Sequence, residues 1–378
     1  LKKSEKKILV CPLPWGIGHT TRMIPLIRKL IMTNHHVVFA GNSWQNELIK
    51  NEIKGIECIY FPGFTIRYSS FFPQFVIILL NYPLFVYHTI REHFILKRII
   101  EKHNPDIVIS DSRIGLWNKK IISVLVTHII RVPFPRPFRF LENLTLPLSR
   151  AVINRFTYCF IPDFPGEINL SGRLSHWCRL PENTRYIGIL SRFQGFPKPL
   201  SPSEKLAPTD ISRREEDISY IYCTAIMSGP SPQKELLASK IKDILLKTGK
   251  NSVILSGNIS SESIIQKEDN IQIINHLPED EFAEIVGRSE IIISRSGYTT
   301  VMELFSLGRS AILIPTPGQP EQEYLAEYLS GKRWFIHLNQ RNLSTNTMFE
   351  LPDLTLPKFN ASENEKLLNA ALEELLKE

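Results

Sequence analysis

The most constraining feature of this chain is an order of short apolar runs and amphipathic stretches that is traced twice. Lys7–Pro12 (KILVCP), His36–Ala40, Asp106–Ser110 and Ser123–Ile130 are apolar with no alternation, as expected of strands covered on both faces. Between them, His19–Met32 and Ile90–His103 have helical spacing; in the latter Phe94, Ile95, Ile99 and Ile100 are backed by Arg91, Lys97, Arg98 and Lys102. A Pro- and Ser-rich stretch, Phe193–Asp210, interrupts the pattern, which then restarts. Strands are expected at Ser219–Cys223, Ser252–Leu255, Ile271–Ile274, Glu290–Ser294 and Ser310–Pro315. Helices are expected at Lys234–Lys247, Glu279–Gly287, Thr299–Leu307 and Glu321–Ser330, with a last amphipathic helix at Ser362–Glu378. Strands alternating with helices mean parallel, doubly wound sheets. The expected organisation is an α/β chain of two Rossmann-like lobes, 1–192 and 211–345, joined by a linker at 193–210 and followed by an extended segment and helix at 346–378.

The 378 residues suffice for two cores of ordinary size. The apolar stretch Phe71–Tyr87 is broken by Pro73, Gln74, Asn81 and Pro83, so no membrane-spanning helix is expected. The first residues, LKKSEKKILV, contain no signal-peptide hydrophobic region, and five scattered cysteines never occur as Cys-x-x-Cys. A cytoplasmic protein with reduced core cysteines and no zinc site is expected. Charge is divided unevenly: residues 1–192 carry 26 Lys and Arg against 12 Asp and Glu, and the remainder 19 against 26. A cationic first half suggests an anionic partner, and without a nucleic-acid-binding signature nucleic acid ranks below a membrane surface or a phosphorylated acceptor.

Ligands of open α/β sheets bind beyond the carboxyl ends of the strands. The first such loop, Pro14–Arg22 (PWGIGHTTR), places Gly16 and Gly18 where backbone can approach a ligand, followed by Thr20 and Arg22. It lacks the third glycine of a dinucleotide-binding loop. His19 either caps the following helix or acts as a base. Asp111, closing VISD, either orients a histidine from the first loop or caps a helix, and Arg113 beside it is expected to pair with it. In the second half, Ser294–Glu303 (SRSGYTTVME) reads as strand, tight turn and helix start, offering backbone N–H groups and a helix dipole to a diphosphate. Glu303, one turn into that helix, suits the two hydroxyls of a ribose. Met227–Ser231 (MSGPS), containing Ser228 and Gly229, is a second such turn. Ordinary helix capping is the competing explanation for each.

The run SRSGYTTVMELFSLGRSAILIPTPGQPEQEYLA resembles the donor-binding region of GT-B glycosyltransferases of family 28. WGIGHTTR is similar to the N-terminal glycine loop of that family, and Asp163–His176 (DFPGEINLSGRLSH) to a stretch of bacterial relatives. The resemblance implies that the second lobe binds a nucleotide-sugar, most often a UDP-sugar. Glu303 would hold the ribose and Ser296, Gly297 and Thr299 the diphosphate, with Arg295 and Thr300 also among the donor-binding residues. Leu277, after Asn275-His276, falls where the family packs backbone against the base; Gln319, Glu321 and Gln322 would meet the sugar. The first loop lacks the family's longer glycine run, and the glutamine pair near the sugar is here Gln322-Glu323.

The resulting expectation is an inverting transfer in which His19 deprotonates an acceptor hydroxyl and Asp111 orients it. No Asp-x-Asp occurs in the second lobe, so no metal and no cofactor besides the nucleotide-sugar co-substrate are expected. Aromatic, aliphatic and basic residues mix over Tyr68–Lys102, a composition suited to the inner face of a membrane and to a lipid-linked or cell-envelope acceptor; a buried helix pair with a solvated basic face would look the same. The alternatives are a nucleotide-sugar epimerase and a non-catalytic sugar-nucleotide-binding subunit of a transferase complex.

Overall fold

A computed structural model describes residues 5–65, 74–194, 220–229, 231–257, 265–275, 277–344 and 352–377. Most of the expected linker, together with Tyr68, Pro230, His276 and the boundaries at 211 and 345–346, lies outside the described residues. The chain divides into two compact units. The first runs to Arg192 and takes in Gly318–Glu321 and the segment from Asn360; the second comprises Phe193–Pro317 and Gln322–Phe359.

In chain order the first unit contains β1 (Lys7–Pro12), α1 (Ile17–Thr21), α2 (Ile24–Met32), β2 (His36–Gly41), α3 (Ser43–Glu52) and β3 (Glu57–Tyr60). There follow α4 (Gln74–Leu80), α5 (Tyr82–His103), β4 (Ile107–Asp111), β5 (Ile122–Val126), α6 (Glu142–Ile153), β6 (Tyr158–Ile161) and β7 (Thr184–Tyr186). The seven strands form one parallel sheet in the order β3-β2-β1-β4-β5-β6-β7. From β1 the chain winds outward through β2 and β3, then crosses back to β4 on the other side. The β1/β4 seam, in register from Ile8↔Ile107 to Pro12↔Asp111, is therefore the topological switch point.

The second unit contains β8 (Ile221–Ile226), α7 (Gln233–Thr248), β9 (Ser252–Leu255), β10 (Ile265–Glu268), β11 (Ile271–Ile274) and α8 (Glu279–Arg288). After these come β12 (Ser289–Ser294), α9 (Tyr298–Ser306), β13 (Ile312–Leu313), α10 (Pro320–Gly331) and β14 (Ile336–His337), and last in the chain α11 (Ala361–Leu375). Its sheet order is β10-β11-β9-β8-β12-β13-β14, parallel except for the antiparallel β10–β11 edge. β8 lies between β9 and β12, with Ser294 opposite Ile226. The loops after β8 and β12 therefore leave the same sheet edge side by side.

Several elements differ from the sequence expectation. The single helix over His19–Met32 is two, α1 and α2, because Pro25 has no N–H to continue the helical ladder and instead opens α2. Strand β5 ends at Val126, leaving Thr127 and His128 beyond it. Phe94 is 56% exposed, whereas Glu92, Leu96 and Ile99 point inward, so the buried face of α5 is rotated from the one expected. Helix α3, whose Asn42 and Gln45 form a reciprocal capping box, and the short β3, β7 and β10 were not anticipated.

The C-terminal segment is not a separate piece. Helix α11 packs Leu368, Ala371, Leu372 and Leu375 into the core of the first unit, with Ile8, Val10, Ile187 and Leu190. Asn364 clamps it there: its side chain accepts from the Ile189 amide at 2.7 Å and donates to the Ile189 carbonyl at 3.2 Å. Gly188 permits this approach, since a Cβ there would sit 2.4 Å from Asn364 Oδ1 and its φ is +71°. Phe193, expected as linker, is buried and stacks on Phe282 inside the second unit.

Candidate active site

At the switch point of the first unit, the loop after β1 carries His19 on the one-turn helix α1, and β4 ends at Asp111. His19 Nδ1 lies 2.9 Å from Asp111 Oδ2. Asp111 is fully buried and is the last residue of its strand, so it caps no helix. Its second partner is Arg22, not Arg113: Arg22 is buried and engages both carboxylate oxygens, Nε at 2.9 Å from Oδ2 and Nη2 against Oδ1. Arg113 turns away and binds Glu92 at 2.8 Å and the Pro62 carbonyl at 2.6 Å. The side chain of Ser112 closes the cluster, accepting from Arg22 Nη2 at 3.1 Å.

The electrostatics follow from this packing. Burial alone would raise the Asp111 pKa, but the Arg22 guanidinium and His19 outweigh it and hold the carboxyl at about 2. Burial and then Arg22 push the His19 pKa below 6.5, with Asp111 opposing. In the tautomer whose Nδ1–H donates a hydrogen bond to the ionised Asp111, the neutral imidazole keeps its lone pair on Nε2. That is the state of a general base. Arg22, expected in the acceptor loop, instead neutralises Asp111 and lies 2.9 Å from His19 Nδ1. Thr20 is likewise buried, its hydroxyl bonded to Gln45. Gly16 and Gly18 flank the start of α1; no atom lies within 4 Å of a Cβ built on Gly16.

A second histidine of the same unit was missed by the sequence reading, which placed it inside a strand. His128 stands just beyond β5, and its Nε2 lies 2.9 Å from Glu321 Oε1. The signal was available: a polar residue closing an apolar run sits at the carboxyl edge where ligands bind. Burial would raise the Glu321 pKa, yet the bond to His128 leaves it lowered. Glu321 and Gln319 belong to the first unit and Gln322 to the second, so the three residues expected around one sugar are divided.

In the second unit β12 delivers Arg295, Ser296 and Gly297 to the start of α9, and β8 delivers Ser228 and Gly229 to the approach to α7. Gly297 caps α9 and Pro232 caps α7, neither with a side chain, so two helix N-termini open at adjacent strand ends. Gly229 has φ +100° and open space where a Cβ would be. Thr299 and Thr300 occupy the first turn of α9, and Glu303 follows on its next turn, 7% exposed. Leu277 is buried beyond β11.

Three expected ligand contacts are engaged elsewhere. Arg295 is buried, donating to the carbonyls of Gln233, Ile314 and Pro315 and to Gln340 Oε1, which pins four loops together. Ser296 Oγ donates to the Gln322 carbonyl at 2.8 Å. Gln322 Oε1 accepts from the Thr316 amide at 2.8 Å, fixing the PTPG loop. The Asp163–His176 stretch is a self-bonded knot: the buried Asp163 carboxylate accepts from the amides of Phe164, Leu170 and Ser171.

Comparison with known proteins agrees with the two-sheet fold. The glycosyltransferase family 28 C-terminal domain matches residues 229–375. An uncharacterised glycosyltransferase of Methanosarcina acetivorans is 21% identical over 342 residues, covering 84% of this chain and 81% of that protein. A UDP-N-acetylglucosamine–N-acetylmuramyl-(pentapeptide) pyrophosphoryl-undecaprenol N-acetylglucosamine transferase of Bacillus thuringiensis is 25% identical over 270 residues, 68% of this chain and 66% of its own. The crystal structure of the glycosyltransferase of kitacinnamycin shares the fold, with a TM-score of 0.59 at 13% identity over 98% of this chain and 96% of that one. The chain is thus a glycosyltransferase of the GT-B fold, and its residues 229–375 match the family 28 C-terminal domain.

Proposed function

We propose that the enzyme transfers a sugar, with inversion and without a metal, from a UDP-sugar to a hydroxyl of a lipid-linked acceptor. The observation carrying this reading is the His19–Asp111 pair at the switch point, with Nδ1 2.9 Å from Asp111 Oδ2; a proton on Nδ1 would leave Nε2 as the base. His19 takes the acceptor proton as the hydroxyl attacks the anomeric carbon, and the bond to the leaving diphosphate breaks. General-base help of this kind is worth about 10²–10⁴-fold. Charge developing on the diphosphate meets the N-termini of α7 and α9, with Ser228, Gly229, Gly297, Thr299 and Thr300 around it and Glu303 on the ribose. The UDP preference is supported by the name of the Bacillus thuringiensis relative. No cofactor enters this scheme; the nucleotide-sugar is a co-substrate.

Attachment to the inner face of a membrane is part of the proposal. Among the described residues no helix is long and apolar enough to cross a membrane. Instead α4 and α5 expose Leu79, Leu80, Tyr82, Tyr87, Ile90 and Phe94, beside Arg91, Lys97 and Arg98. Apolar side chains ringed by cations suit an anionic bilayer surface.

Thermal unfolding with UDP, GDP, TDP, CDP, ADP and a panel of UDP-sugars tests the donor side. A ligand of the folded state at about 100 times its Kd stabilises by about 2.7 kcal/mol. A selective shift with UDP compounds is expected; a shift with another nucleotide replaces the donor, and no shift at all sinks the transferase mechanism proposed here. Flotation with anionic liposomes tests the acceptor side, and salt-insensitive absence of binding removes the membrane.

A further inference from the structure

Helix α6, between β5 and β6 of the first unit, has apolar side chains on both of its sides. Inward, Leu146 and Ile153 join Leu125, Ile130 and Phe156 in the core. Glu142 fastens the same side, accepting from Arg173 at 2.8 and 2.9 Å and from the Phe134 amide at 3.1 Å. Outward, Leu144, Pro147, Leu148 and Ala151 are all exposed, and their spacing of three, four and seven residues puts them on one stripe. Phe140, four residues before Leu144, is exposed as well. Phe140, Leu144 and Leu148 are 72%, 71% and 60% exposed, where a helix on a water-facing surface carries polar groups.

The charge bordering this stripe has one sign. From Arg131 to Arg155 the chain holds five arginines and a single acid, Glu142, which Arg173 already occupies. Arg131 donates to the carbonyls of Arg173 and Trp177 at 3.3 Å each, and Arg150 to the Arg179 carbonyl at 3.0 Å. Arg155 lies over Trp117, with Cζ 5.5 Å from the ring centroid. These partners are neutral, so the positive charge stays in place. Trp177, whose carbonyl Arg131 holds, is exposed with φ +54°, a bulky residue presented outward in a conformation that disfavours it. Ahead of α6, Phe134 packs on Phe75 of α4 at 5.5 Å, so the stripe begins next to the apolar surface of α4 and α5.

An apolar stripe bordered by arginines is complementary to acyl chains beneath anionic headgroups. A second copy of the chain would set these arginines against their equivalents. We infer that the outward face of α6 is a second bilayer-inserting surface, in addition to α4 and α5. Phe140, Leu144 and Leu148 enter the acyl boundary, and Arg131, Arg150 and Arg155 meet anionic headgroups. α6 follows β5, so its start lies at the carboxyl edge of the sheet, the edge that carries His19 and Asp111. A bilayer seated there brings headgroups to the edge where a lipid-linked acceptor is deprotonated. The assignment rests on the membrane part of the reading above.

Vesicle flotation and sedimentation of the full chain decide it, with vesicles of equal parts phosphatidylglycerol and phosphatidylcholine and, as control, of phosphatidylcholine alone. Leu144→Gln combined with Leu148→Gln keeps charge and helix propensity and changes only exposed positions. This double variant is expected to bind the anionic vesicles at least tenfold more weakly, with the unfolding temperature unchanged. Phe140→Gln, placed before the helix, repeats the measurement should the double variant lose its unfolding transition. Leu80→Gln combined with Ile90→Gln reports on α4 and α5 separately. Weakening by the α4 and α5 variant alone overturns the inference and leaves the membrane reading standing. No vesicle binding by the unaltered protein removes both. Equal binding to phosphatidylcholine alone overturns the charge complementarity and the inference with it. So does a concentration-dependent dimer in sedimentation velocity that the α6 variant abolishes, which assigns the face to a second copy.

Discussion

Asp111→Asn is the substitution whose consequences the structure defines most closely. The carboxylate is 0% exposed and faces two ionisable groups, His19 and the 2%-exposed Arg22, besides the Ser112 hydroxyl. Asparagine keeps the shape but removes the charge, leaving the Arg22 guanidinium buried beside a neutral amide. Breaking a buried pair in this way costs about 3–5 kcal/mol. An independent figure comes from the acid itself: lowering the Asp111 pKa from 3.8 to about 2 corresponds to roughly 2 kcal/mol favouring the ionised form. The second value is smaller because protonation leaves an O–H in place, whereas the amide also turns an N–H toward Arg22 or His19. A loss of about 2–5 kcal/mol at pH 7 is therefore expected. For a unit near 200 residues this lowers Tm by about 5–15 °C. The pH dependence has a definite sign. The folded pKa is depressed, so the contribution is complete above the unfolded value of 3.8 and is lost as pH falls toward 2. Calorimetry of both proteins from pH 7 to pH 3 should show a constant gap down to about pH 4 that then narrows. A gap under about 1 kcal/mol at pH 7, or one that does not change below pH 4, would refute the electrostatic account of this cluster.

Four further outcomes are expected. His19→Ala should reduce transfer by about 10²–10⁴-fold while leaving nucleotide affinity within twofold by calorimetry. In the unaltered enzyme, the acid limb of kcat/KM should have its midpoint below pH 6.5, because burial and Arg22 both disfavour the imidazolium; a limb above that value contradicts the site electrostatics. Gly188→Ala should destabilise the first unit by about 1–3 kcal/mol in chemical denaturation, since the new methyl meets Asn364 in a backbone conformation that favours glycine. Arg295→Met should lower the unfolding temperature even without nucleotide, since it releases the Gln233, Ile314 and Pro315 carbonyls together; loss of nucleotide binding with stability unchanged would return Arg295 to the ligand.

Much of the architecture was legible because it depends on local pattern. Strands β9 and β11 have the bounds read from their apolar runs, and α7, α8 and α9 differ from expectation by a residue or two at their ends. The short strands β3, β7 and β10 are only half buried or exposed, so their sequences lack the continuous apolar run that marks a central strand. His19 and Asp111 were singled out because each follows a strand, and the structure places them 2.9 Å apart. Which cation would accompany Asp111 was not legible: Arg113 is two residues away and Arg22 is 89, yet the turn at Ser112, with φ +58°, sends Arg113 toward Glu92.

By itself, the sequence determined two rounds of buried strands and amphipathic helices and the loops where a ligand would meet them, because periodicity and loop chemistry are properties of neighbours along the chain. Tertiary structure decided the rest. It bound α11 into the first core, gave Arg22 rather than Arg113 to Asp111, and turned Arg295, Ser296 and Gln322 inward as loop fasteners. Each of these outcomes depends on which distant side chain reaches a buried charge or carbonyl first, and spacing along the chain does not encode that competition.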